Sequence, residues 1–180
     1  MNTLRKRLVA VGCLLASMAM PAAAQPAPYA LQWDVHSSVI KPGTQDARSL
    51  ATLTLANRSG RTLGATGWAL YFNCISGVVE GPAEPRLLVD RLAGTLYRVR
   101  PAAGFEPVPA GATLKIALLH PELMFKADKS PRGPYLVFDD QPDVAIAITD
   151  YQLLTPTRPE QLQVPAGAQS PVVTAQELFD

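Results

Sequence analysis

The side chains suited to chemistry are few, and most are placed where they cannot act together. Asp139, Asp140 and Asp143 crowd one short stretch. Glycoside hydrolysis uses two carboxyl groups, but they must face each other across a cleft at set separations. Three acids in one Pro-containing loop read instead as a solvated turn. His36 and His120 are the only histidines and are far apart in sequence, whereas a metal site needs several ligands at disciplined spacings. No serine sits in a nucleophile-elbow sequence. Cys74 follows an apolar strand and reads as a small buried residue. No catalytic residue is therefore assigned, and no metal or cofactor is expected.

What remains is aromatic. An exposed ring offers a flat apolar face to the C–H side of a pyranose. Trp33 and Trp68 share a register with aliphatic neighbours, so they are expected in a core. Tyr71 lies on the opposite register of its strand, and Asn73 follows two residues later with an amide that can bond a sugar hydroxyl. Tyr151 lies in a strand whose outer face is rich in alanine. Tyr71, Asn73 and Tyr151 are the candidate carbohydrate-binding residues. Phe105 and Phe125 are expected to plug the ends of the fold.

The elements that must hold these residues are short, alternating and broken by Pro and Gly, an all-β pattern. Strands are expected at 30–36, 50–57, 67–73, 87–92, 95–100, 113–120, 135–139 and 144–154, with turns such as Lys41-Pro42-Gly43, Asn57-Arg58-Ser59-Gly60 and Pro109-Ala110-Gly111 between them. Alternation assigns the inward sets. They are Leu31, Trp33 and Val35; Ala51, Leu53 and Leu55; Trp68, Leu70 and Phe72; Tyr97 and Val99; Leu114, Ile116 and Leu118; and Val144, Ile146 and Ile148. Such sets suit two antiparallel sheets packed face to face, a β-sandwich over residues 25–155.

The ends read differently. Arg5, Lys6 and Arg7 precede an apolar run from Leu8 to Met20, then Pro21 and Ala22-Ala23-Ala24. This is the order of a secretory signal spanning 1–24, with cleavage expected after Ala24 and a periplasmic or secreted destination. The chain has 16 basic and 15 acidic residues; three of the basic ones lie in the signal, leaving 13 against 15. No basic patch invites nucleic acid, and no membrane partner is expected after cleavage. Residues 156–180 read as a Pro-rich linker and the start of a helix leading toward a further domain. Thr174 is its N-cap and Glu177 the capping-box partner.

Several stretches together resemble the amino-terminal domain of bacterial chitobiases and β-N-acetylhexosaminidases of glycoside hydrolase family 20. They are Trp33-Asp34-Val35, Leu53 to Gly60, Gly67-Trp68-Ala69-Leu70-Tyr71-Phe72-Asn73, and Gly94-Thr95-Leu96-Tyr97-Arg98-Val99-Arg100-Pro101 with Phe105 and Pro109-Ala110-Gly111. The Lys126-to-Phe138 segment and Asp150-Tyr151-Gln152 are similar too. The resemblance spans about residues 29 to 160. It implies a sandwich of the carbohydrate-binding-module type set ahead of a catalytic (β/α)8 barrel. Nothing in this chain corresponds to the barrel, so the resemblance transfers no catalytic residue. It implies a polysaccharide partner, chitin-like or another N-acetylhexosamine glycan, or else a glycoside hydrolase catalytic domain on which the sandwich packs.

Overall fold

The structure, a computed structural model, describes residues 26–154 apart from 42 and 125. The expected signal, linker and terminal helix, and Phe125, fall outside the described residues. Among the described residues, ten strands form two sheets. The first sheet takes the order β10-β1-β2-β7, from β10 (Asp150–Leu154), β1 (Tyr29–Ile40), β2 (Ala47–Asn57) and β7 (Thr113–His120). The second takes the order β4-β5-β6-β3-β8-β9. Its strands are β4 (Gly81–Ala83), β5 (Leu87–Ala93), β6 (Leu96–Pro101), β3 (Trp68–Asn73), β8 (Arg132–Phe138) and β9 (Gln141–Ala147).

The alternation becomes a core between the sheets. Trp33, Val35, Leu53, Leu55, Leu70, Phe72, Val99 and Ile116 are all buried, as the period-two pattern requires. Each such side chain contributes roughly 1.5–3 kcal/mol relative to exposure, so the core needs no disulfide. Trp33 lies edge-on to His120, with ring centroids 6.2 Å apart. Trp68 meets Phe105 at 5.7 Å in a similar T-shaped contact. Phe105 is thus a buried plug, as expected. Asn57 ties the end of β2 to two loops: its Nδ2 donates to the carbonyls of Arg61 (2.8 Å) and Pro109 (3.1 Å).

The sheets depart from the sequence reading in three ways. The strand expected over 144–154 is two strands in different sheets, and the chain crosses between them at Ile148-Thr149. Ile148 is buried at the crossing, but Val144 is 51% exposed. The reason is a register break: Val137 pairs with Ala145 while Phe138 pairs with Gln141, so residues 142–144 bulge out of the ladder. After the crossing, β10 runs parallel to β1, the one parallel pair among the described strands. The short edge strand β4, with Pro82 at its centre, was not expected from the sequence.

Candidate functional site

The outward face of the six-stranded sheet brings together the residues best suited to bind a ligand. On β3 the inward side chains are Trp68, Leu70 and Phe72, which leaves Tyr71 facing out. Its cross-strand partners are Arg98 on β6 and Tyr135 on β8. Arg98 pairs in turn with Asp90 on β5, and Tyr135 with Ala147 on β9. One row therefore crosses five strands: Asp90, Arg98, Tyr71, Tyr135, Ala147.

The two tyrosine rings are 5.0 Å apart at an interplanar angle of 6°. That separation is close to the spacing of adjacent strands, so the rings stand side by side above the sheet. Both are half-buried. Beside them lies an apolar row in which Ala69 pairs with Val137 and Val137 with Ala145. At the other end of the aromatic pair, Arg98 donates from Nη2 (2.8 Å) and Nε (3.2 Å) to Oδ2 of Asp90. Arg100 Nε donates to the same oxygen at 2.9 Å. Desolvation opposes ionisation of Asp90, but the hydrogen bonds and charges of Arg100 and Arg98 outweigh it and hold the carboxyl below its usual value. The bond to Asp90 raises the pKa of Arg98, against partial desolvation, with a smaller contribution from Tyr71.

Asn73 is exposed at the end of β3, past a register shift in the pairing of β3 with β8. Its side-chain oxygen accepts from Thr95 Oγ1 at 3.2 Å, so the amide nitrogen faces solvent. Tyr151 is elsewhere, and its expected outward register is corrected. It pairs with inward-facing Leu31 across the parallel β10–β1 ladder and packs against the core. Its hydroxyl is buried without a hydrogen bond; nearby Ser130 donates to Ala127 O instead (2.6 Å). Burial pushes the Tyr151 pKa well up. The residues that sequence reasoning missed are Tyr135 and Arg98. Alternation put Arg98 on an outward register, opposite Tyr97 and Val99, but only strand pairing sets Arg98 and Tyr135 beside Tyr71.

The remaining reactive groups are occupied or isolated. Trp33 and Trp68 are 0% and 2% exposed. Burial raises the Cys74 thiol to about 11, offset in part by backbone hydrogen bonds from Ser76 and Gly77, which keeps it protonated and inert. His36 bonds Thr52 Oγ1 at 2.6 Å. Asp140 pairs with Arg61 at 2.8 Å, and Asp139 and Asp143 are exposed. Among the described residues no group of three or more His, Cys, Asp or Glu could hold a metal ion. A separate groove of about 670 Å³, lined in part by Arg86, Phe105 and Pro107, contains none of the predicted site residues.

Comparison with known proteins agrees with this architecture. The chain is similar to a GH20 exo β-N-acetylglucosaminidase from Vibrio harveyi with bound N-acetylglucosamine, at 18% identity and a TM-score of 0.54. An inactive mutant of the Vibrio harveyi enzyme matches equally. The match covers 73% of this chain and 19% of the enzyme, so the chain spans about a fifth of that protein. A family GH18 chitinase from Chromobacterium violaceum matches at 16% identity and a TM-score of 0.44, over 75% of this chain and 22% of the other. No curated protein matches the sequence. A family model described as "Putative carbohydrate binding domain" matches residues 34–176, nearly the whole sandwich and beyond. By that match the chain belongs to the CHB_HEX family.

Proposed function

We propose that this chain is an exported, non-catalytic polysaccharide-binding domain for chitin-like or other N-acetylhexosamine glycans. The family supports polysaccharide binding. The observation that carries the reading to a place is the Tyr71–Tyr135 pair, half-exposed on the outer face while both tryptophans are buried. The pair supplies apolar ring surface for a pyranose, and Arg98, Arg100 and Asn73 supply N–H donors beside it. Export rests on the segment 1–24, whose order of basic, apolar and small residues is that of a cleavable signal.

Titration of the chain with N-acetylglucosamine oligomers tests the reading. Saturable binding is expected; no binding at millimolar ligand overturns it. A second reading has its own support. The Vibrio enzyme is about five times longer than the matched part, and in that reading the sandwich packs on a β-N-acetylhexosaminidase catalytic domain without touching glycan. Protection of Tyr71 and Tyr135 by such a domain, with no response to oligomers, distinguishes it.

A further inference from the structure

We propose that the arginine end of this face selects glycans bearing carboxylates over neutral glycans of the same backbone. The inference rests on the binding face proposed above. Two guanidiniums share one carboxylate. Three N–H groups converge on Oδ2 of Asp90, two from Arg98 and one from Arg100. One negative charge therefore opposes two positive ones, and a unit of positive charge is left over. No other acid stands in the two rows that make up the face: Ala69, Tyr71, Tyr135, Val137, Ala145 and Ala147 are all uncharged. Glu80, on the loop leading into β4, is engaged with the backbone N–H of Arg91 (3.3 Å).

Arg100 has donors to spare. Arg100 bonds Asp90 through Nε alone, so both of its terminal nitrogens lack a partner among the described residues, whereas Arg98 is held by Asp90 and Tyr71. The Arg100 side chain is 41% exposed, so these donors reach solvent. A guanidinium edge with two parallel N–H groups matches a carboxylate in bidentate fashion. Asp90 already fixes both side chains, so less rotamer freedom is lost when an anion docks. Adjacent strands are roughly 4.8 Å apart, so Arg98, Tyr71 and Tyr135 span a length suited to neighbouring sugars. One sugar can stack while the next presents its carboxylate to Arg100.

The test uses two hexasaccharides of equal length, one of N-acetylglucosamine alone and one alternating N-acetylglucosamine with glucuronate. Calorimetric titration of the chain is expected to show the uronate hexamer binding about three- to fivefold tighter, the size of a solvent-exposed ion pair. That preference should vanish at about 0.5 M salt. Arg100→Gln should remove it too, weakening the uronate hexamer more than the neutral one until the two bind alike. Equal or weaker binding of the uronate hexamer overturns the proposal and leaves the binding face standing. A preference that survives Arg100→Gln also overturns it. Binding of neither hexamer overturns both the proposal and the reading on which it rests.

Discussion

Directly across from Tyr135 on β9 stands Ala147, so one side of the tyrosine ring has no cross-strand neighbour of comparable size. Its other side is taken by Tyr71. Tyr135 is therefore the better placed of the two rings to stack on a sugar, and Tyr71 acts as its support. Tyr135→Ala is expected to weaken binding of N-acetylglucosamine oligomers about tenfold, or about 1.4 kcal/mol. Fold stability should change little, because cross-strand pairs on an outer face contribute only about 0.2–1 kcal/mol. Titration and circular dichroism together check this. His120 leads to a different prediction. Gly77 O, at 2.7 Å, can only accept, so Nδ1 carries the proton and Nε2 is left a bare, buried acceptor. Burial lowers the His120 pKa to about 4, against the Gly77 hydrogen bond, which raises it. The unfolded chain then binds a proton at higher pH than the folded one does. The contribution to stability is complete above the unfolded value near 6.5 and is lost as pH falls toward 4. The loss is on the order of 3 kcal/mol. Urea melts between pH 7 and pH 4 should show it, and His120→Asn, which can keep a donor toward Gly77 O, should flatten the slope.

Among the elements, β2 and β9 show how far local pattern reaches. In β2, strict alternation predicted every inward residue from Ala51 to Leu55, because both of its neighbours, β1 and β7, hold it in the middle of a sheet. Its end depends on one side chain. Asn57 is fully buried, and its amide donates to carbonyls from two loops, adding to the Ser59 Oγ bond on Arg61 O and the Ala112 N–H bond on Pro109 O. Asn57→Ala removes the buried donor that ties the two loops together and is expected to cost about 1–3 kcal/mol, read as a lower midpoint in chemical denaturation. Asn57→Asp should be no better, since a carboxylate cannot donate to those carbonyls. In β9 the same reasoning misplaced Val144. An edge strand has one partner, and Pro142 supplies no N–H, so the ladder tolerates a bulge that alternation cannot foresee. The candidate face was legible in part for the same reason. The outward registers of Tyr71 and Asn73 were legible from β3 alone, Tyr135 and Arg98 needed the order of strands, and the register of Tyr151 was misread because β10 changes sheets.

For the molecule as a whole, no pair of carboxyl groups faces across a cleft among the residues that make the candidate face, and Asp90 is bound to two arginines. The chain is expected to show no turnover of a chromogenic N-acetylglucosaminide, and measurable hydrolysis by a clean preparation would refute the non-catalytic reading. The sequence by itself determined the class of fold, five of the six inward-facing sets and the family resemblance, because each depends on period-two alternation or on runs of neighbouring residues. It also marked both tryptophans as core. Tertiary structure alone decided which outward residues meet. The pairing of β3 with β6 and β8 puts Tyr71 between Arg98 and Tyr135, and the crossing at Ile148-Thr149 turns Tyr151 inward. Strand order is set by the packing of the whole sandwich, so contacts between outward side chains on different strands leave no periodic trace in the chain.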